Sequence, residues 1–459
     1  MDVRLRPVQA AIQLRDELSA MMGDDWPDAD ARLADLLAAV LLAPDDADKL
    51  KALMAFCRSR PDWAARFNEL VGGNLRGGGA AGGAALPRVA PTRSASPGFP
   101  GLPGSFGAPG SPVDVRMPAA AAEPEETTPR STAFTPVEIL YATDRAATGQ
   151  AAVQRFYGGD RATDTSVQFG RCVVTLPIKR NRGELNTPGL LDWRGEDPAR
   201  HIVLASIEPL APAAFDDAAR RQLGDASNEG LLFVHGYNVS FHDAARRTAQ
   251  LAHDLAFEGL RLCYSWPSKG EFLGYAADGD SATWSAPHLA AVIRRVRALK
   301  PGLRLHLVAH SMGNRVLTQA LRELHLQHEP LQESIQQVAL AAPDIDRDVF
   351  EGLAEALRSS ARRVTLYASS KDRALWVSKL LHRGPRAGDG GDAMLALDGV
   401  DAIDASQVET SLIGLNHGYF AGKLSVLSDL ALLLRTDTPP GRRPGLHPVP
   451  NKRHWLMQP

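Results

Sequence analysis

One serine in this chain has neighbours that could make it a nucleophile. The stretch Leu303–Arg315 reads LRLHLVAHSMGNR, and Ser311 stands in it between Ala309 and Gly313. Leu303 to Val308 alternates and then runs apolar, the pattern of a short buried strand. Val316, Leu317, Ala320, Leu321 and Leu324 follow at helical spacing. A serine on a tight turn between strand and helix, with small residues two positions away on each side, is the pattern of a nucleophile elbow. Such a turn leaves the hydroxyl exposed at the carboxyl end of the strand. The first small residue is Ala309 rather than glycine, a mild departure.

A serine hydroxyl attacks a carbonyl carbon only when a base takes its proton, and the base needs a carboxylate to hold its tautomer. Where the nucleophile sits on an elbow, the chain order is serine, acid, histidine. Two aspartates follow strand-like runs downstream of Ser311, Asp344 in AAPDID and Asp372 in LYASSKD. Asp372 is preferred, because it follows the second strand after the elbow and leaves the last strand to deliver the histidine. Asp344, presented one strand earlier, is the alternative acid. Both have a plainer role open to them. Asp344, with Asp346, suits the cap of a helix starting near Val349, and Asp372 suits a cap before Ala374. The histidines beyond the acid are His382, His417, His447 and His454. His417, in GLNHGYF, lies between the last strand and the last helix with Gly418 beside it, and is the expected base. His310 adjoins the nucleophile with its side chain directed away, a structural position.

The tetrahedral intermediate of acyl transfer needs hydrogen-bond donors aimed at its oxyanion. The backbone N–H of Met312, immediately after the nucleophile, is one. The second is expected from the loop Val234-His-Gly-Tyr-Asn238, where Gly236 lets the backbone turn inward and Tyr237 offers its N–H. His235 reads as a loop-stabilising residue rather than a proton-transfer group. Ser265, Trp266 and Tyr275 follow the next strand and are candidates for lining the pocket, with Trp266 equally suited to the core.

These residues need a scaffold that brings strand ends together. Strands are expected at 137–142, 171–176 and 201–207 with no helix between the first two, an antiparallel start. From Gly230 the rhythm changes to strand, loop, helix. Strands at 231–234, 261–265, 303–308, 337–341, 364–367 and 400–403 alternate with helices at 241–257, 285–299, 312–324, 349–357 and 424–434. Such alternation implies a mostly parallel sheet covered on both faces, with the strands' carboxyl ends on one edge.

The rest of the chain is simpler. Residues 1–72 read as a small helical unit, with apolar positions recurring at three and four and Pro27, Pro44 and Pro61 as punctuation. Residues 73–135 are dominated by Gly, Ala, Pro and Ser. Gly98, Gly101, Gly104, Gly107 and Gly110 fall in triplets too few for a collagen-like helix. As a flexible linker of about 60 residues this stretch would have a root-mean-square span of roughly 45 Å. The tail 436–459, rich in Pro and Arg, is expected to be disordered. A chain of 459 residues is long enough for more than one unit. The formal charge of -2 points to neither nucleic acid nor an anionic membrane as an obligate partner. The three cysteines, Cys57, Cys172 and Cys263, fit buried thiols better than disulfides. Without a secretory h-region or a bilayer-length apolar run, a cytoplasmic location is expected.

LLFVHGYNVSF, CYSWPS, HLVAHSMGNRVL, APDID, YASSKDRAL and GLNHGYF together resemble a bacterial family of alpha/beta-hydrolases, esterase/lipase-like and largely uncharacterised. YATDR and GRCVVTLP resemble the same family's N-terminal strands. The resemblance runs from about Val137 to Leu434, so the hydrolase unit is placed at 136–435. It implies the alpha/beta-hydrolase fold and a serine hydrolase site, but no substrate. The short path from Asp344 to the next helix leaves no room for a large lid there, which argues for an open cleft. The expected reaction is cleavage of carboxylic esters through an acyl-enzyme, with Ser311, Asp372 and His417 as triad and Met312 and Tyr237 as oxyanion donors. No metal or cofactor is called for. The expected substrate is a small-molecule or lipid ester, with a protein partner recruited through residues 1–72 as a further expectation. The alternatives are a lipid-cleaving effector recruited through that unit, and a non-catalytic scaffold that keeps the fold.

Overall fold

The computed structural model describes residues 47–59, 63–64, 67, 133–164, 166–186, 196–225, 227–269, 275–371, 375, 378, 384–408 and 420–458. Of the expected helical unit, the described part is the helix α1 (Ala47–Cys57) with Arg58, Ser59, Trp63, Ala64 and Phe67. The rest of that unit, and the expected linker as far as residue 132, lie outside the described residues.

The unit from residue 133 onward is built on one large sheet. In chain order its strands are β1 (Phe134–Thr143), β4 (Gln168–Pro177), β5 (Val203–Leu210), β6 (Glu229–Val234), β7 (Leu260–Ser265), β8 (Arg304–His310), β9 (Ile335–Ala341), β10 (Arg363–Ala368), β11 (Val400–Asp404), β12 (Leu446–Pro448) and β13 (Trp455–Met457). A separate two-stranded ribbon, β2 (Arg145–Ala147) with β3 (Tyr157–Arg161), lies between β1 and β4 in the chain. Across the sheet the order is β12-β13-β11-β10-β9-β8-β6-β7-β1-β4-β5. From β1 to β11 the pairs β1·β7, β7·β6, β6·β8, β8·β9, β9·β10 and β10·β11 are parallel. β1·β4 and β4·β5 are antiparallel, as the N-terminal pattern implied.

The helices are α2 (Pro212–Leu223), α3 (Phe241–Asp254), α4 (Tyr275–Arg297), α5 (Gly313–Leu326), α6 (Arg347–Gly352), α7 (Ala354–Ser360) and α8 (Phe420–Thr436). They cover both faces. Along β6, Leu232 and Val234 enter the core beneath α4 and α5, whereas Leu231 and Phe233 enter the one beneath α3 and α8. A strand buried on both sides therefore needs the continuous apolar run LLFV. α5 fits by its stripe of Val316, Leu317, Ala320, Leu321 and Leu324, all fully buried. α3 starts at Ser240, whose hydroxyl accepts from the Asp243 N–H at 3.1 Å and donates to the Asp243 carboxylate at 2.7 Å, a reciprocal cap.

Two features depart from the sequence reading. The sequence pattern does not single out helix α2, because its apolar face is only Phe215, Ala218, Ala219 and Leu223 among charged residues. The tail expected to be disordered is instead folded: β13 pairs parallel with β11, and β12 pairs antiparallel with β13. Its Arg443 reaches back to the core, donating to Asp429 at 2.8 Å, and Leu446 and Met457 join the apolar cluster beneath α8. Composition suggested solvation, but a few apolar residues and one buried ion pair suffice when a sheet edge is open to receive them. The cysteines follow expectation. All three are buried and none is in a disulfide, and burial pushes the Cys263 thiol up to about 12.

Candidate active site

The strand order places the site. From β6 the chain moves to β7 on one side and then to β8 on the other, so β6 and β8 meet at a reversal of winding direction. A crevice opens outside the carboxyl ends of strands at such a point. The register aligns the loops that leave these strands. Val234 of β6 pairs with Ala309 of β8, His310 with Ala341 of β9, and Ala341 with Tyr367 of β10. The segments HGYN, HSMGN and APDID thus emerge side by side.

Ser311 has φ +48°, a left-handed conformation that a non-glycine residue adopts at a cost of about 1–2 kcal/mol. The turn is held from several sides. Its N–H donates to the Ala341 carbonyl at 2.9 Å. Its carbonyl accepts from the Asn314 N–H at 3.1 Å, the Asp344 N–H at 3.3 Å and the Asn314 Nδ2 at 2.9 Å. Asn314 Nδ2 also donates to the Ala341 carbonyl at 3.1 Å, so one buried amide staples the elbow to β9. Asn314 lies in plain view three residues after Ser311, yet its role depends on a contact from a neighbouring strand.

The small residues have concrete reasons. A Cβ on Gly313 would fall 2.2 Å from the His235 carbonyl oxygen and 2.8 Å from that of Val234. A Cβ on Gly236 would stand 3.0 Å from Ser311 Cβ and 2.8 Å from His310 Nδ1. The loop after β6 and the Ser311 turn are therefore in close contact, Gly236 against Ser311 and Gly313 against the His235 backbone. Among the described residues, no carbonyl accepts from the Met312 N–H. Exposure differs from expectation: Ser311 is buried, with 7 % of its surface exposed, because the loops after β6 and β9 close on it. α6 does follow Asp344 almost directly, with no insertion at that point.

The loop Val234–Asn238 rests on a buried polar cluster. His235 Nδ1 lies 2.8 Å from the Gly236 carbonyl, which can only accept, so Nδ1 carries the proton and Nε2 accepts. Nε2 faces Arg145 Nη2 at 3.3 Å and Ser265 Oγ at 3.2 Å. Burial holds the imidazole well below its ordinary pKa, and the Arg145 charge adds to this, so His235 is neutral and unsuited to proton transfer. Trp266 is core. Its ring stacks on His235 with centroids 5.2 Å apart, and its Nε1–H donates to the His235 carbonyl at 2.8 Å. Ser265 is buried in the same cluster rather than lining a pocket. The Tyr275 side chain lies outside the described residues. His310 is also held neutral, with burial and the Arg247 charge lowering its pKa to about 3.

Of the two acid candidates, Asp344 is described. It is buried, and Arg386 Nε donates to one carboxylate oxygen at 3.0 Å, the oxygen to which Ser378 also donates. Arg315 Nη2 stands 3.5 Å from the other oxygen, and Arg315 Nε donates to the Asp344 carbonyl at 2.6 Å. The helix-capping role falls to Asp346 alone, which accepts from the N–H groups of Asp348 and Val349. Asp404, at the end of β11, is a strand-end carboxylate that the sequence pattern does not single out. Its oxygens accept from Ser406 and from the Gly391 N–H at 2.9 Å, tying the loops after β10 and β11 together. Asp372 and His417 lie outside the described residues, as does His382.

Comparison with known proteins agrees with this fold. Residues 212–435 match the family model described as alpha/beta hydrolase of unknown function (DUF900). The fold is that of an alpha/beta-hydrolase. An uncharacterized protein from Nostoc sp. is 31% identical over 123 residues, a match covering 20% of this chain and 31% of that relative. The chain thus spans about a third of the length of that relative. Among the described residues of the alpha/beta-hydrolase domain and α1, no helix is long and apolar enough to cross a membrane. No cluster of His, Cys, Asp or Glu suited to a metal ion occurs among them either.

Proposed function

We propose that the alpha/beta-hydrolase domain is a serine hydrolase that cleaves carboxylic esters through an acyl-enzyme. Ser311 Oγ attacks the ester carbonyl while His417 takes its proton, and Asp372 holds the imidazole in the working tautomer. The backbone N–H groups of Met312 and Tyr237 receive the oxyanion. His417 then passes the proton to the departing alcohol, and water cleaves the acyl-serine by the same route in reverse order. The observation that carries this reading is the left-handed Ser311 at the junction of β8 and α5, in contact with the loop after β6. Strain of this kind persists where surrounding structure fixes it, and here four hydrogen bonds do so. The ion pairs of Asp344 favour Asp372 as the acid, since a carboxylate shared by two arginines is poorly placed to serve an imidazole.

A fluorophosphonate probe tests the reading. It is expected to modify Ser311 in the full chain, as located by peptide mass spectrometry, with Ser311→Ala abolishing the label at unchanged melting temperature. A label that persists in the Ala variant, or none in the wild type, overturns it.

A further inference from the structure

The ribbon strand β2 begins with a residue the proposed chemistry does not use. Arg145 is 1 % exposed, and the structure gives acceptors to all five of its N–H groups. Nε donates to Ser265 Oγ at 2.8 Å. Nη1 donates to the carbonyls of Gly158 at 2.9 Å and Ser268 at 3.0 Å. Nη2 donates to His235 Nε2 at 3.3 Å and to the Val239 carbonyl at 2.7 Å. Every one of these acceptors is uncharged. A buried guanidinium that spends its donors on neutral groups gains little over an apolar side chain in stability alone. What it supplies is a planar fork reaching five fixed points.

Two of those points are decisive. A single nitrogen, Nη2, holds His235 and Val239, the two ends of the turn that contains Gly236, Tyr237 and Asn238. That turn includes a second left-handed non-glycine residue, Asn238 at φ +56°. Ser265 Oγ completes the bracket by accepting from Arg145 and donating to His235 Nε2. Around it, Ser268 Oγ accepts from the Val239 N–H at 3.3 Å and donates to Asp278 at 2.5 Å. Thr143 Oγ1 donates to the Ser265 carbonyl at 2.6 Å.

We propose that Arg145 is a positioning residue for the oxyanion site, clamping both ends of the His235–Val239 turn so that the Tyr237 N–H faces the oxygen of the carbonyl attacked by Ser311. This rests on the serine hydrolase reading and extends it to a residue that touches neither substrate nor the reacting atoms. Lysine keeps the charge, but its three tetrahedral donors cannot span the five acceptors. A turn loosened by about 1 Å costs on the order of 10²-fold in rate.

The test uses the full chain with p-nitrophenyl butyrate as substrate and phenylboronic acid as a mimic of the tetrahedral intermediate. Arg145→Lys is expected to lower kcat about 10²-fold, leave KM within about twofold, and weaken phenylboronic acid by a factor like that in kcat. Rates are compared at a temperature where circular dichroism shows both proteins folded. A purely architectural arginine would leave kcat of the folded fraction unchanged, and that result overturns the proposal. Should the Lys variant fail to fold, His235→Gln and His235→Leu decide. The glutamine oxygen can accept from Arg145 where Nε2 does and is expected to recover most of the rate lost in the leucine variant; equal rates overturn the clamp. A wild-type protein whose Ser311 takes no fluorophosphonate is a failure of the hydrolase reading itself, seen before any Arg145 variant is compared.

Discussion

Gly313→Ala tests how closely the nucleophile turn must approach the loop after β6. The added Cβ would lie 2.2 Å from the His235 carbonyl oxygen and 2.8 Å from that of Val234. Both are backbone atoms, so no side-chain rotation relieves the overlap. Reaching a tolerable contact of about 3.2 Å from 2.2 Å requires roughly 1 Å of relative movement between α5 and the His235 turn. Either body carries part of the proposed site, one Ser311 and the other the Tyr237 N–H. A misplacement of that size costs on the order of 10² in rate. Overpacking of this kind costs about 1–3 kcal/mol, against which the better helix propensity of alanine returns at most ~1 kcal/mol. The expected result is therefore a kcat about 10²-fold lower and a melting temperature lower by a few degrees. Gly352→Ala is the control, since a Cβ there meets nothing within 4 Å, and it should leave both quantities unchanged or raise stability slightly. Ester hydrolysis and thermal melts of the three proteins read the comparison. Wild-type kcat and melting temperature in Gly313→Ala would refute the contact between elbow and loop.

Four further outcomes are expected. Asp372→Asn should lower kcat by about 10⁴, the scale of loss when a serine protease's triad aspartate becomes asparagine, at unchanged melting temperature. Asp344→Asn should instead keep the rate of the folded enzyme and lose stability, about 3–5 kcal/mol if the buried Arg386 is left uncompensated; a crippled kcat in that variant would make Asp344 the acid. For Asp254, burial works to raise the carboxyl pKa, but hydrogen bonds from His253 and Arg180 hold it well below the usual range. A depressed carboxyl stabilises fully above its unfolded pKa of about 3.9, and that contribution is lost as pH falls below it, so melting temperature should drop between about pH 4 and 2. Asp254→Asn should flatten this acid limb, and an unchanged slope would exclude the contribution. Finally, Arg443→Met should destabilise by about 3–5 kcal/mol by stranding the buried Asp429, and the double variant with Asp429→Leu should recover much of the loss. A thermodynamic cycle without coupling would mean that the folded tail does not use this pair.

Local pattern was enough for the scaffold and for the strand–turn–helix that carries Ser311. Apolar runs such as LLFV and HLVA mark strands buried on both faces, and the stripe from Val316 to Leu324 marks the helix that packs on one of them. Ser311 between Ala309 and Gly313 is readable because an elbow needs small residues at fixed short spacing. All of these are constraints within a dozen residues, where sequence and geometry are closely tied. What tertiary structure decided involves partners far apart in the chain. Arg145 finds His235 only because β1 and β7 pair in parallel and bring Ser265 beside the start of β2. Asp344 could pass for a helix cap until Arg315 and Arg386 converge on it from a helix and a later loop. The tail looked disordered by composition, yet the edge of β11 and the buried Asp429 gave Trp455–Met457 and Arg443 a place to fold. A charged residue carries no mark of its partner in the sequence. Its role is fixed by which acceptors the fold leaves within about 3 Å of it in a site closed to water.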